Sequence, residues 1–269
     1  MVSSLVVALM LTQTAPPPQQ LRWDPRIDIP VTGALVAGWI ISDAFKKDLA
    51  PAECRLCGTN GFDNAIRTIF NPTLSPSPDG FHGWDTASTV VGFVGVPVAM
   101  IGLDAIFSAR DGVFMKAFWA DVVLMLEATF SALAVNQTVK FLAGRARPYT
   151  IGATAETLAT GKDPADNNLS FFSGHTTLAF ALASSAATIA SLRGYRNAWV
   201  AWLVGMPLAA ATAILRMAAD KHWASDVLVG AAVGTAFGVL MPTLLHGRVG
   251  PIEAKVAPIP NGISLSGRF

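Results

Sequence analysis

The stretch WASDVLVGAAVGTAFGVLMPTLL at positions 223–245 is predominantly apolar and contains one charged residue, Asp226. An apolar segment of about 20 residues is long enough to cross a bilayer as a helix. Gly230, Gly234 and Gly238 recur every four residues, and small residues at this spacing form a surface on which a neighbouring membrane helix packs closely. The stretch therefore predicts a transmembrane helix with a glycine face against a partner helix.

Five other segments have the composition of membrane helices, namely 31–45, 87–103, 113–139, 175–192 and 198–215. No run of residues alternates between apolar and polar as a strand does. Spanning structures in lipid must satisfy their own backbone hydrogen bonds, which helices do. We predict an all-α, polytopic transmembrane helix bundle of five to six spans.

The composition agrees with a membrane protein. Hydrophobic residues make up 52% of the 269 residues and charged residues only 14%, whereas a soluble domain has about 25% charged residues. The formal net charge of +1 argues against nucleic acid as a partner. Composition does not predict the oligomeric state.

The chain divides into four predicted parts. These are a signal-like or N-terminal segment with a Pro-rich linker (1–30), a short apolar helix with a loop containing CxxC (31–85), a catalytic bundle (86–245) and a cytoplasmic tail (246–269). Two arrangements fit the N-terminal region. Either 31–45 spans the membrane, or 1–15 is a cleaved signal and 31–45 only dips into the bilayer. In both, Cys54 and Cys57 lie outside, where a local disulfide can form.

Basic residues cluster in a first motif, KFLAGRARP at 140–148. Lys140 and Arg147 are seven residues apart, nearly two helical turns, and share a face if the helix continues that far. Two cations on one face at a membrane surface are typical of an anion site, although basic residues also snorkel at helix ends.

The second motif, Phe172-Ser173-Gly174-His175, directly precedes an apolar segment. Ser173 is a favourable N-cap, and a helix N-terminus presents free N–H groups to an anion. Gly174 lets an anion approach the backbone, and His175 can donate a proton. A capped helix with an incidental histidine is the alternative interpretation.

The third motif is RMAADKHWASD at 216–226. His222 and Asp226 are four residues apart, which puts them on one face at the start of the last helix. A carboxylate that holds one imidazole nitrogen leaves the other free to attack. Arg216 supplies a planar cation suited to a bidentate anion contact.

Together the three motifs resemble the type 2 phosphatidic acid phosphatase superfamily, which also includes acid phosphatases, glucose-6-phosphatase and vanadium haloperoxidases. Its pattern is K-x6-R-P, then P-S-G-H, then S-R-x5-H-x3-D. Two positions depart from it, since Phe172 replaces the first Pro and Leu215 replaces the Ser before Arg216. The resemblance covers roughly residues 86–245.

The resemblance implies a phosphatase that forms a phosphohistidine on His222. Asp226 then orients the nucleophile, and His175 protonates the leaving group and activates water. The phosphate-binding residues are Lys140, Arg147, Ser173, Gly174 and Arg216. Since the sequence has no Asp/Glu cluster typical of a Mg²⁺ site, we expect neither metal nor another cofactor.

The expected substrate is a lipid phosphate or pyrophosphate monoester, and its identity is open. The alternatives are a vanadate-dependent haloperoxidase, or a transporter or binding protein for a phosphorylated solute. Asp121 and Glu127 are expected to face the bundle interior, and no role is assigned to His82 or His246.

Short-loop charges predict the orientation. The cytoplasmic side is indicated by basic residues near two loops and in the tail: Arg110, Lys116, Arg193, Arg196, Arg248, Lys255 and Arg268. The loops 140–174 and 216–222 are basic for a separate reason, because they bind an anion. We predict a bacterial inner-membrane protein whose active site faces the periplasm.

Overall fold

The computed structural model describes residues 17–73, 77, 79–247, 253–259 and 262–268, the last two ranges by their backbone only. The predicted signal-like segment 1–15 and Arg248 lie outside these residues, as do the side chains of Lys255 and Arg268.

Ten α-helices make up most of the described chain. In order they are α1 (Pro25–Ala44), α2 (Lys46–Leu49), α3 (Gly61–Phe70), α4 (His82–Val90), α5 (Val96–Arg110), α6 (Phe114–Ala143), α7 (Ala155–Ala159), α8 (Gly174–Arg193), α9 (Ala198–Ala218) and α10 (Ala224–Leu244). A π-helical turn, Val91–Gly95, joins α4 to α5, and 3-10 turns occupy Pro148–Thr150 and Pro164–Asn168.

Among the described residues, six helices are long and apolar enough to cross a membrane: α1, the continuous His82–Arg110, α6, α8, α9 and α10. This confirms the predicted all-α bundle and makes the chain an integral membrane protein. The tail adds one antiparallel hairpin that the sequence analysis did not predict, β1 (Glu253–Ile259) with β2 (Gly262–Arg268).

The helices pack around α8, which contacts α5, α6, α9 and α10. The apolar part of α8 is 78% buried, whereas that of α1 is only 11% buried, so α1 lies at the periphery against α6. We call the end of the bundle that carries the starts of α8 and α10 the site end, and the opposite end the base end.

The first helix begins earlier than predicted. Asp24 accepts a hydrogen bond from the Arg26 N–H at 2.9 Å, and Pro25 occupies the first helical position, where its missing N–H costs nothing. With 20 residues rather than the predicted 15, α1 is long enough to cross the membrane.

The predicted glycine face of α10 packs against α8. A Cβ atom at Gly230 would lie 2.8 Å from the Ser173 carbonyl oxygen, and one at Gly234 would lie 2.6 Å from that of Thr177. At Gly238 it would meet the Ala181 carbonyl oxygen at 2.5 Å. The two backbones therefore approach too closely for any side chain, and this contact fixes the start of α10 beside the start of α8.

One buried ion pair at the base end joins α6 to the end of α8. Asp121, in α6, accepts hydrogen bonds from Arg193 at 2.6–3.1 Å and from the Tyr195 hydroxyl at 3.1 Å. As expected, Asp121 and Glu127 are buried inside the bundle. Arg193 is only 5% exposed, so it is not a free loop charge of the kind used above to predict the cytoplasmic side.

At the site end, the segment between α2 and α4 lies against the start of α10, where Asp63 accepts hydrogen bonds from Ser225. Cys54 and Cys57 form a disulfide within it. Leu56 pairs with Arg145 as an isolated bridge, which ties this segment to the chain after α6. The helix α3 then packs against α9 and α10 and brings Asp63 beside them.

Candidate active site

The first motif bends sharply after its lysine. The helix α6 contains Lys140 but ends at Ala143, because Gly144 adopts a left-handed conformation with φ 54°. Arg147 follows in extended backbone. The helix does not continue to Arg147, so the condition for a helical face shared by Lys140 and Arg147 is not met. The turn brings both side chains to the wall of one cavity instead.

Arg147 is buried and held from two sides. Its Nε donates to the Asp166 carbonyl at 2.7 Å and its Nη2 to the Asp166 carboxylate at 2.8 Å. Its Nη1 donates to the Lys221 carbonyl at 2.9 Å. Burial would raise the pKa of Asp166, but Arg147, Lys140 and Lys46 lower it well below its usual value. Asp166 is therefore ionised and fixes the guanidinium.

His222 precedes α10 and does not lie on it. The predicted shared helical face with Asp226 was wrong, because the helix begins two residues later at Ala224. The Nδ1 atom of His222 lies 2.8 Å from the Ser170 carbonyl oxygen, and its Nε2 atom lies 3.3 Å from Arg147 Nη1. A carbonyl can only accept and a guanidinium can only donate, so Nδ1 carries the proton and Nε2 has the lone pair.

Electrostatics favour the same neutral form. Burial, followed by the positive charges of Arg147, Arg216 and Lys140, lowers the pKa of His222 well below its usual value. An imidazole that is unprotonated at neutral pH is a competent nucleophile.

Asp226 stabilises the surroundings of His222 more than it contacts the ring. Its carboxylate accepts from the Ser170 hydroxyl at 2.5 Å and the Trp223 N–H at 3.0 Å, and it pairs with Arg145. The distance from Asp226 Oδ2 to His222 Nδ1 is 3.7 Å, too long for a hydrogen bond. Asp226 thus fixes Ser170, whose carbonyl oxygen in turn fixes the imidazole.

The second motif forms the start of α8. Ser173 occupies the N-cap position, but its hydroxyl accepts from Thr176 at 2.9 Å and makes no capping bond to the backbone. A Cβ atom at Gly174 would lie 3.0 Å from Asn136 Oδ1 and 3.4 Å from Lys140 Nζ. The glycine therefore lets the Lys140 ammonium reach the helix N-terminus.

His175 lines the cavity and is held by α4 and the π-helical turn. Its Nε2 is 3.2 Å from the Thr89 hydroxyl, and Phe93 packs edge-on against its ring with centroids 4.8 Å apart. These contacts from α4 and the π-helical turn orient the imidazole toward the cavity that His222 also lines.

Arg216, at the end of α9, is 3% exposed and pairs with Asp85 through Nη1. The same atom donates to the Ser88 hydroxyl at 3.0 Å. Its Nε is buried with no hydrogen-bond partner among the described residues. An unsatisfied guanidinium N–H beside an anion-sized cavity favours an incoming acceptor.

These residues enclose a cavity of about 360 Å³ at the site end. Six of the eight predicted site residues line it: Lys140, Arg147, Gly174, His175, Arg216 and His222. Ser173 and Asp226 lie behind its wall, both fully buried. The cavity wall also carries Lys46 and Lys221, so five Lys and Arg side chains face three carboxylates, those of Asp43, Asp85 and Asp166. The excess of positive charge suits an anionic ligand.

The PAP2 superfamily profile matches residues 121–249, which include every predicted site residue. This part of the chain carries the sequence pattern of the PAP2 superfamily.

Two known proteins are similar to the chain over different lengths. A lipid A 1-phosphatase from Porphyromonas gingivalis is 46% identical over 72 residues, which are 26% of this chain and 15% of that protein. The chain thus matches a small part of that relative's length. A PAP2-type phosphatidylglycerolphosphate phosphatase from Bacillus subtilis has a crystal structure with 18% sequence identity and a TM-score of 0.47, covering 78% of this chain and 93% of that one.

Several polar residues around the PAP2 motifs were missed by the sequence analysis. Arg145 bridges Asp226 and Asp63, with Nη2 2.7 Å from the Asp63 carboxylate. Burial raises the pKa of Asp63, but hydrogen bonds from Ser225 and Arg145 bring it below its usual value, so this carboxylate is charged. Arg145 was visible inside the first motif. Asp63, Asp85 and Asp166 lie in segments without a recognisable pattern.

Proposed function

We propose that this protein is a membrane phosphatase that hydrolyses a phosphate or pyrophosphate monoester of a lipid through a phosphohistidine on His222. One observation carries the proposal. The lone pair on His222 Nε2 faces a cavity whose wall contains Lys140, Arg147 and Arg216, while Nδ1 is held by the Ser170 carbonyl. A buried, neutral nucleophile beside three cations suits attack on a phosphoryl group.

In the first step, His222 Nε2 attacks phosphorus as the bond from phosphorus to the lipid oxygen breaks. The guanidinium of Arg147, now 3.3 Å from Nε2, moves its hydrogen bond to a phosphoryl oxygen and frees the lone pair. Arg216 offers its unsatisfied Nε, and Lys140 neutralises further charge at the start of α8. His175 enters this step as the imidazolium, gives one proton to the leaving oxygen and becomes neutral.

In the second step, a water molecule attacks the phosphohistidine. Neutral His175 accepts the proton of that water, the bond from Nε2 to phosphorus breaks, and inorganic phosphate leaves. Asp226 holds Ser170, and through it the Nδ1–H of His222, during both steps. Three protein cations and a helix N-terminus take the place that metal ions have in other phosphoryl-transfer enzymes, so the reaction is proposed to need no metal.

The substrate class is argued from the setting of the cavity. Trp39 and Phe93 line it alongside the cations, and α1 leaves most of its surface uncovered by protein. A ligand with a phosphate head and apolar chains matches both features. The relative from Porphyromonas gingivalis is named for a lipid phosphate, which agrees with this class.

The experiment is phosphate release by the purified full-length protein in detergent. The panel is undecaprenyl pyrophosphate, phosphatidylglycerol phosphate, phosphatidic acid and lipid A, with a water-soluble phosphomonoester as the comparison, each with and without excess EDTA. We expect release from at least one lipid in EDTA, and an acid-labile phosphoenzyme after rapid quenching. No release from any lipid contradicts the proposed activity. Release that requires added Mg²⁺ contradicts metal independence.

We further propose that the cavity faces the periplasm of a bacterial inner membrane. A single cysteine at exposed Thr160, with Cys54 and Cys57 replaced by serine, should react with an impermeant thiol reagent in intact spheroplasts. A cysteine at exposed Arg196, at the base end, should react only after permeabilisation. The reverse labelling pattern would place the cavity on the cytoplasmic side.

A further inference from the structure

A second group of ionisable side chains lies at the base end, away from the phosphate cavity. Asp28 near the start of α1, Glu127 in α6 and His246 after α10 each offer a ligand atom, and these atoms lie within 4.8 Å of one another. The three residues are 7%, 5% and 6% exposed. Glu127 is thirteen residues before Lys140, about 20 Å along α6, so the proposed phosphatase mechanism does not use it.

Two atoms of this group are buried and unsatisfied. Glu127 Oε2 and His246 Nε2 have no hydrogen-bond partner among the described residues. They face each other at 3.5 Å, which is longer than an ordinary hydrogen bond of about 2.7–3.2 Å. Two ligands bound tetrahedrally to one zinc ion at about 2.0–2.2 Å lie roughly 3.3 Å apart. The separation fits a shared metal better than a direct hydrogen bond.

Hydrogen bonds with neighbouring backbone groups orient His246 and Asp28 as metal ligands. His246 Nδ1 lies 3.0 Å from the Arg22 carbonyl oxygen, so in the neutral ring Nδ1 carries the proton and the lone pair of Nε2 is on the side of Glu127. An imidazole whose second nitrogen donates to a carbonyl is the usual arrangement at metal sites. Asp28 is oriented in turn by the Asp24 N–H, 2.7 Å from its carboxylate.

We propose that Asp28, Glu127 and His246 bind a divalent transition metal ion, either Zn²⁺ or Mn²⁺, which joins α1, α6 and α10 at the base end. One imidazole with two carboxylates suits these ions, whereas Mg²⁺ and Ca²⁺ prefer oxygen ligands alone. A 2+ ion also balances two buried carboxylates. The adjoining cavity of about 750 Å³, lined by Arg22 and Asp24 among others, leaves room for water as a fourth ligand.

Metal binding by the full-length protein tests this proposal. The purified protein is stripped with a chelator, titrated separately with Zn²⁺ and with Mn²⁺, and desalted. Bound metal is then measured by mass spectrometry and Tm by thermal unfolding. We expect about one equivalent of one of these ions and a rise in Tm of several degrees. E127Q and H246Q should bind at least tenfold more weakly.

The matched control is H82Q, which removes an exposed histidine at the site end and should bind like the wild type. If neither ion raises the Tm of the wild-type protein, or if H246Q retains the full metal content, the proposal is wrong. A Tm that rises on mild acidification but does not change with either metal would indicate a simple His246–Glu127 ion pair. That result would also contradict the proposed metal site.

This readout is independent of phosphatase activity. H246Q should release phosphate within about twofold of the wild-type rate, with or without EDTA, at a temperature where both proteins are folded. A wild-type protein that binds the metal but has no phosphatase activity would contradict the proposed function alone. An active enzyme that binds no metal would contradict only the metal site.

Discussion

The two ends of the bundle both bury charged side chains, but only one leaves positive charge in excess. At the base end, Arg193 is matched by Asp121, whose carboxylate also accepts a hydrogen bond from the Tyr195 hydroxyl. At the site end, five Lys and Arg side chains surround a cavity with three carboxylates, and Arg216 retains a buried, unsatisfied N–H. A matched buried charge is typical of a structural contact, whereas an unmatched one beside a cavity indicates a binding site.

The largest expected effect comes from His222, the proposed nucleophile at the site end. H222N should lower kcat by at least about 10⁴-fold, because it removes the attacking nitrogen, and it should abolish the phosphoenzyme. Steady-state phosphate release and quench trapping measure both effects. A folded H222N protein with substantial turnover would show that another group attacks phosphorus.

A smaller loss is expected when the support of Asp226 is removed. R145M leaves Asp226 and Asp63 without their shared cation, so Ser170 and then His222 lose their fixed positions. We expect kcat to fall about 10²-fold with little change in KM, since a small misplacement of a catalytic group costs about that much.

R67M is the matched control for this change. Arg67, like Arg145, lies 5.7 Å over the Trp223 ring and pairs with a buried aspartate, Asp220, but it does not contact Asp226. Both variants should lower Tm. If R145M and R67M lost equal amounts of kcat, Arg145 would affect turnover only through the overall stability of the fold.

A substitution at the base end should lower the stability of the protein but leave its kcat unchanged. R193M leaves Asp121 buried without its cation, and breaking such a pair costs about 3–5 kcal/mol of unfolding free energy. Thermal unfolding should show a Tm lower by about 10 °C, while kcat of the folded protein stays within about twofold. The double variant D121N/R193M should recover part of the loss, and a kcat that falls with Tm would show coupling between the ends.

The smallest effect concerns pH. Since the pKa of His222 is lowered in the folded state, the unfolded chain binds its proton more readily, at about pH 6.5. The stability from the neutral ring is present above that pH and is lost as pH falls toward the folded pKa. Tm of the wild type should therefore drop by a few degrees more between pH 7.5 and 5.5 than Tm of H222N. Parallel curves would contradict the lowered pKa.

Hydropathy was sufficient to predict the spans, and motif spacing was sufficient to predict six of the residues that line the cavity. The glycine face of α10 was also predictable, because four-residue spacing specifies one side of a helix. Local backbone geometry could not be predicted in the same way. Gly144 ends α6 before Arg147, and α10 begins after His222, so two expected helical faces do not exist.

Contacts between residues that are distant in the sequence could not be predicted either. Asp63 reaches Arg145 across 82 residues, and the partner of His222 Nδ1 is the backbone carbonyl of Ser170, which no side-chain pattern can reveal. His246 had no partner in sequence, yet it lies beside Glu127 once α10 crosses the bundle. Such contacts depend on helix packing rather than on local composition.

The position of α1 at the periphery bears on how the proposed lipid substrate reaches the cavity. Trp39 and Asp43 of α1 line the cavity, while most of that helix is uncovered by protein. For a substrate whose chains stay in the bilayer, the encounter is lateral diffusion in two dimensions. The turnover rate then follows the mole fraction of substrate in the surrounding lipid or detergent, so diluting mixed micelles with buffer leaves it unchanged and diluting them with detergent lowers it.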